Sequence, residues 1–261
     1  MSEPLEREEH DGIVTLTMND PATLNALSDR MLAAMRRALE EIGEGPARCV
    51  VLRGAGRAFC AGHDLREIEA MRQSEDGGRA HFADLFDRCA AVMAAIRTLP
   101  QPVIAQVHGL ATAAGCQLVA TCDMAVAAED ARFGMNGVNI GLFCSTPMVA
   151  LTRNVGRKRA MEMLVTGEFV DAREAAALGL VNRVVAPEEL EAATRALAKK
   201  VADKLPAAVR IGKGVFHAQA ERGWEEAYAL TRDAMVANLA LEETEEGIRA
   251  FLEKRPPRWT Q

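Results

Sequence analysis

Two short stretches of this 261-residue chain combine residue types and spacing that could do chemistry. One is Gly56-Arg57-Ala58-Phe59-Cys60-Ala61-Gly62-His63-Asp64-Leu65. The other is Val107-His108-Gly109-Leu110-Ala111-Thr112-Ala113-Ala114-Gly115-Cys116-Gln117. Each follows a strand-like run and leads into a helical one. Small side chains let a backbone come close to a ligand, and the first N–H groups of a helix are unpaired and electropositive. Two such loops could aim backbone donors at one oxygen, the arrangement of an oxyanion hole. The same small residues would also serve tight helix–sheet packing, and the sequence leaves both readings open. Gly54 and Gly56 begin a dinucleotide-binding pattern, but Phe59 stands where its third glycine belongs. No Walker lysine motif, HExxH or GxSxG occurs.

The elements that must position these loops follow from periodicity. Ile13 to Met18 is β-branched and bounded by Gly12 and Asn19-Asp20-Pro21, which predicts a strand and a turn. Ser28 is placed as an N-cap for a helix whose apolar face is Met31, Leu32, Met35, Leu39 and Ile42, stopped at Gly43. Strands are expected at Val50-Val51-Leu52, Val103 to Val107 and Ala125-Val126-Ala127. A helix is expected over about Phe82 to Leu99, ended by Pro100 and Pro102. Strands alternating with helices of this length indicate an α/β architecture. From about Pro187 the strand signal stops, and 188–205, 206–222 and 223–254 each read as one helix. In the last of these, Trp224, Tyr228, Met235 and Leu239 keep one face with Thr231 in the seam. The expected organisation is an α/β core over 1–190 and a helical region over 191–261.

Composition narrows the function. With 31 Lys+Arg against 37 Asp+Glu the net charge is −6, and aromatics are 4% of the chain. Both disfavour a nucleic-acid partner. Six cysteines (Cys49, Cys60, Cys89, Cys116, Cys122, Cys144) show no CxxC pair, and the five histidines do not cluster with them. Neither a zinc site nor a disulfide framework is expected, and the thiols read as reduced and buried. The acidic start lacks an apolar leader core, and no apolar run is long enough to span a membrane. The expectation is a soluble, cytoplasmic protein with no membrane partner and no metal.

In combination the motifs resemble the crotonase (enoyl-CoA hydratase/isomerase) superfamily. The resemblance runs over nearly the whole chain: Asp20 to Leu27, Ala58 to Leu65, Gln101-Pro102-Val103-Ile104-Ala105, Gly115-Cys116, Cys122-Asp123, Phe133-Gly134, Gly167, Ala175 to Val181 and Phe251 to Arg255. Three segments are similar to a subgroup called enoyl-CoA hydratase domain-containing protein 3: Cys60 to Leu65, Ala113 to Leu118, and Gly137 to Pro147. The resemblance implies a spiral of ββα units with C-terminal helices that build a homotrimer or hexamer. It implies an acyl-CoA ligand, with coenzyme A present only as part of the substrate and no separate cofactor. The thioester carbonyl would be held by the amides of His63 and Ala114. Ala61, Asp64, Leu65 and Arg66 would line the CoA side. Phe251 and Lys254 match terminal residues that reach CoA on a neighbouring subunit, where an ammonium suits a phosphate.

The same resemblance exposes a departure. Hydratases of this family hold and deprotonate water with two glutamates, and the matching positions here are Gln117 and Gly137. An amide and a hydrogen atom transfer no protons. Since each acid–base group typically contributes about 10²–10⁴-fold, hydration of a 2-enoyl-CoA is expected to be weak or absent. Asp64 reads as a helix cap or as a base, and the His63 ring as a pocket rim or as a proton-transfer group. Asn136, Asn139, Ser145 and Thr146 are polar residues near position 137, and Cys116 and Cys144 lack an activating base. The alternatives are a different acyl-CoA chemistry through an enolate (isomerase, decarboxylase or thioesterase) and a non-catalytic acyl-CoA-binding protein. Phe82, Leu85, Phe86 and Phe143 are the expected walls of the acyl pocket.

Overall fold

A computed structural model describes residues 3–259. The chain opens with a hairpin of β1 (Leu5–His10) and β2 (Ile13–Met18), turned through Asp11 and Gly12 at positive φ. β1 is exposed apart from the half-buried Leu5, so hydropathy gives no sign of it; pairing with the buried β2 makes it a strand. α1 (Asp29–Glu44) starts as its sequence predicts. Ser28 Oγ accepts from Met31 N at 3.2 Å, and Met31, Leu32, Met35, Leu39 and Ile42 are buried. After β3 (Cys49–Gly54) come α2 (Leu65–Met71) and α3 (Arg79–Thr98). Two strand–strand–helix units follow. The first is β4 (Val103–Val107), β5 (Leu110–Thr112) and α4 (Ala114–Thr121). The second is β6 (Met124–Ala128), β7 (Arg132–Gly134), a 3-10 turn Asn136–Ile140, α5 (Pro147–Leu151) and α6 (Arg157–Thr166). Then come β8 (Phe169–Asp171), α7 (Ala172–Ala177), β9 (Arg183–Val185) and α8 (Leu190–Ala202). The chain ends in α9 (Pro206–Gln219), α10 (Trp224–Leu239) and α11 (Glu242–Leu252).

The strands form a six-stranded sheet ordered β1-β2-β3-β4-β6-β9, parallel except for the β1–β2 hairpin, and a small sheet ordered β5-β7-β8. This is the expected α/β spiral. β5, β7, β8 and β9 have three residues each, too few to display a period of two, and the sequence alone does not announce them. The central strands β2, β3, β4 and β6 are largely buried on both faces, as their continuous apolar runs require. One face and its helices form the main core, with Leu16, Leu52, Phe59, Ile96 and Phe133. α8 closes the other face over Val51, Ile104 and Val126, so it packs with the sheet rather than with the helices beyond it.

The expected single helix over 223–254 is two helices. The chain leaves helical geometry at Leu241 (φ −74°, ψ 137°), and α11 begins on Glu242 and Glu243. Carboxylates favour a helix start, where the dipole is positive, so the acidic cluster begins a new helix instead of continuing the old one. Asn238 Nδ2 donates to Thr244 Oγ1 across the joint at 3.2 Å. α10 has no buried residue, and Trp224, Tyr228, Met235 and Leu239 are all exposed.

A buried charge fastens α9 to the core. Lys213 Nζ donates to Asp123 Oδ2 at 2.6 Å and to the carbonyls of Ile96 and Gln101 at 2.9 and 3.0 Å. Asp123 also accepts from Val103 N at 2.7 Å and lies 3.3 Å from His217 Nε2. Each ammonium proton thus has an acceptor, which makes the desolvated charge tolerable. Removing it leaves Asp123 buried without its cation. Lys213→Met should therefore lower unfolding stability in urea by roughly 3 kcal/mol or more; a change within experimental error would show that the pair does not hold α9.

Candidate functional site

The loop after β3 is tied down from within. Asn25 is fully buried in the left-handed region (φ 57°), which asparagine tolerates better than most residues. Its Nδ2 donates to the carbonyls of Ala55 and Ala58, both at 2.8 Å, and its Oδ1 accepts from Asp20 N at 3.0 Å. Residues 59–62 then run beside 108–114. Phe59 N donates to His108 O at 3.1 Å, Cys60 N to Leu110 O at 3.0 Å, and Thr112 N to Cys60 O at 3.1 Å. The approach is backbone on backbone. A Cβ at Gly115 would overlap the Cys60 carbonyl, and one at Gly62 (φ 91°) would lie 3.3 Å from Ala114 N. The small residues therefore serve close packing and also bring two chain segments side by side.

Ala113 is strained at φ 49°, ψ −119°, a region costly to a residue with a Cβ. Its N–H donates to Gly134 O at 2.9 Å, which holds the turn in place. That turn presents the first N–H of α4, on Ala114, beside the 60–63 segment. Among the described residues, neither Ala114 N nor His63 N donates to a backbone carbonyl, although Leu27 N donates to the adjacent Gly62 O at 2.7 Å. Two unpaired donors thus stand at facing turns, one of them at a helix N-terminus.

The side chains around them are mostly neutral. Gln117, one turn along α4, is buried, and its Oε1 has no hydrogen-bond partner among the described residues. Gly137 lies in the 3-10 turn, where a Cβ would come 2.5 Å from Leu142 O and 2.9 Å from Cys144 Sγ. The Leu142 carbonyl and the Cys144 thiol thus fill the space a side chain at 137 would need. Thr112 Oγ1 donates to Asn136 Oδ1 at 2.5 Å, and Asn139 Nδ2 to Gly167 O at 3.4 Å. Asp64 is the N-cap of α2, accepting from Arg66 N at 2.8 Å. Leu65 and Arg66 are exposed, and Ala61 is half-buried. All six thiols are free and buried; burial pushes Cys60 and Cys116 up to about 12, so they are not thiolates near neutral pH. Phe251 is exposed at the end of α11, and Lys254 follows it in a turn at φ 56°. Among the described residues, neither makes a hydrogen bond or ion pair with the two loops. No group of three or more His, Cys, Asp or Glu among the described residues is placed to hold a metal ion.

His63 carries a half-buried ring. Nδ1 is 3.4 Å from Leu27 O, the ring meets Phe86 edge-on at 5.6 Å, and Nε2 is buried without a partner. Burial holds its pKa below the ordinary value, and the nearby Arg88 adds to the effect. Two residues not anticipated from sequence belong to the same region. Glu67 reaches across from α2 to accept from Asp29 N at 2.9 Å, and burial, with Asp29 and Asp64 nearby, raises its pKa. His81 has a buried, unpaired Nε2. The spacing Asp64-x-x-Glu67 is that of a capping box, but the glutamate caps α1 rather than its own helix, a choice made by tertiary proximity.

Comparison with known proteins gives the family. The family profile described as enoyl-CoA hydratase/isomerase matches residues 8–261. The chain belongs to the enoyl-CoA hydratase/isomerase family. A mouse protein named "Enoyl-CoA hydratase domain-containing protein 3, mitochondrial" is 45% identical over 253 residues, 97% of this chain and 83% of its own length. The crystal structure of an enoyl-CoA hydratase from Mycobacterium smegmatis superposes with a TM-score of 0.95 at 53% identity, covering 99% of both chains. That of human enoyl coenzyme A hydratase domain-containing protein 3 gives 0.93 at 44%, covering 98% of this chain and 100% of the other. One expectation is overturned. The mouse and human relatives are named mitochondrial, so acidic charge and reduced thiols do not make a chain of this kind cytoplasmic. Both features suit either compartment, which is why they could not decide. Among the described residues no helix is long and apolar enough to cross a membrane.

The buried imidazole has a consequence for pH. Its folded-state pKa lies below the ordinary value of about 6.5, so as pH falls past that value the unfolded chain takes up the proton first. The stability tied to neutral His63 is present above about pH 6.5 and is lost as pH falls toward the folded value. Melting temperature should drop between about pH 7.5 and pH 5.5, and His63→Asn should reduce the drop. Equal drops in the two proteins would count against a buried neutral ring.

Proposed function

We propose that this protein binds an acyl-CoA thioester and polarises its carbonyl with the backbone amides of His63 and Ala114. The observation that carries this reading is the pair of amides left without backbone acceptors where residues 60–63 meet the turn into α4. Family membership supports the ligand class. Donors fixed by the fold need no reorganisation as charge builds on an oxygen, so they stabilise an enolate or oxyanion at little cost. On the same reading Ala61, Asp64, Leu65 and Arg66 line the CoA side. Phe251 and Lys254 serve a neighbouring subunit, and the exposed apolar side chains of α10 are covered in a homotrimer or hexamer. Trp224 and Tyr228, packed edge-on at 5.2 Å, are the largest of them.

Hydration is not the reaction this arrangement favours. Gln117 and Gly137 supply no proton-transfer group, and the Leu142 carbonyl and Cys144 thiol occupy the space a side chain at 137 would enter. The purified protein should bind butyryl-CoA more tightly than free CoA in calorimetry while hydrating crotonyl-CoA weakly or not at all. Gln117→Glu alone should not raise hydration to a family-typical rate, because the second carboxylate is still missing. Rapid loss of the enoyl absorbance with the unaltered protein would overturn the reading. Light scattering should give three or six times the chain mass; a monomer would remove the neighbouring-subunit role of Phe251 and Lys254.

A further inference from the structure

The His63 ring is unaccounted for by a site built from backbone amides. Leu27 O can only accept, so the Nδ1 facing it carries the proton and Nε2 presents a bare lone pair. That nitrogen is buried and unpaired, a condition native structures rarely leave unexplained. Charged neighbours surround it on three elements: Asp29 at the start of α1, Asp64 and Glu67 at the start of α2, and Arg88 on α3. None of them makes a hydrogen bond to Nε2, and Arg88 is engaged by Asp29 at 2.8 Å and Asp84 at 2.6 Å. The remaining ring contact is an edge-on one with Phe86, a partly exposed residue. A thioester whose oxygen is held by His63 N–H has its C2 one bond beyond the carbonyl carbon. A base carried by residue 63 would be close to C2, and positions 117 and 137, where hydratases of this family carry theirs, hold none. Among the groups close by, Asp64 is committed to its cap and Gln117 is not a base.

We propose that Nε2 of His63 is a proton-transfer group acting on C2 of the bound acyl thioester. The proposal rests on the acyl-CoA reading above and adds to it a reaction step. Nε2 takes the C2 proton. The C–H electron pair forms the C1=C2 bond, and the carbonyl π pair moves onto the oxygen, held by the amides of His63 and Ala114. The imidazolium then returns a proton to C2, or exchanges with solvent and returns a different one. No oxidant or further reactant is required. Burial suits the role, since it keeps the ring in its basic form near neutral pH.

The test is hydrogen–deuterium exchange at C2 of butyryl-CoA in D2O, followed by NMR, beside calorimetry with the same ligand. The expected result is enzyme-dependent exchange that falls about 100-fold or more in His63→Asn, with affinity changed by no more than a few-fold. Asparagine retains both the amide N–H and a donor for Leu27 O. Exchange should also decline as pH falls through the lowered imidazole pKa, a profile measured on the unaltered protein and independent of how the variant folds. Binding without exchange, equal exchange in the variant, or a flat profile below about pH 6.5 each overturns the His63 role while leaving acyl-CoA binding intact. Absence of butyryl-CoA binding overturns both.

Discussion

The candidate site depends on one contact, the backbone-on-backbone approach of residues 59–62 to residues 108–115. Three main-chain hydrogen bonds join the segments, and Gly62 and Gly115 leave no side-chain atoms between them. A methyl group at 115 would strike the Cys60 carbonyl and push α4 off the loop. The strain at Ala113 is sustained because its N–H is held by Gly134 and its neighbours by Cys60. This is the usual logic of backbone strain near a site: surrounding bonds over-determine the conformation. Asn25 performs the matching task on the other side, filling with one amide the acceptors that the 55–58 loop exposes.

Around that contact the molecule is rigid where polar groups are buried and open where the chain leaves the core. Lys213 and Asp123 join α9 to the ends of α3 and α4 and the start of β4, all elements that flank the two loops. A buried pair with every proton accepted adds little net stability over an apolar pair, but it is costly to break, so it specifies where α9 docks. Beyond it, α10 and α11 carry exposed aromatic and aliphatic side chains.

The chemistry of the site is that of neutral groups. The region holds the amide of Gln117, the imidazole of His63, the linked Thr112 and Asn136, and thiols held well above neutrality. Removing charge from a buried site lowers its desolvation cost and also removes its strongest bases. What remains suits stabilising an oxyanion more than delivering water.

Much of this was legible in the residues. Ser28 and the face Met31, Leu32, Met35, Leu39 and Ile42 announced α1, and the small residues of the two loops announced a close backbone approach, because caps, helical periodicity and side-chain size are local properties. That positions 117 and 137 are Gln and Gly was equally plain, since side-chain chemistry is carried by residue type alone. Exposed β1 and the three-residue strands were not, because pairing makes them strands and pairing is not local. Nor was the break at Leu241, or the use of Glu67 to cap α1. By itself, then, the sequence determined which groups the protein can offer: amides at small-residue turns, one imidazole and no acid pair. Only the tertiary structure decided that Gly62 and Ala114, fifty-two residues apart, lie side by side, that Nε2 of His63 is buried without a partner, and that the 137 turn is closed. Those outcomes depend on the parallel register of β3 and β4 and on the main-chain contact between their loops, which no single segment encodes.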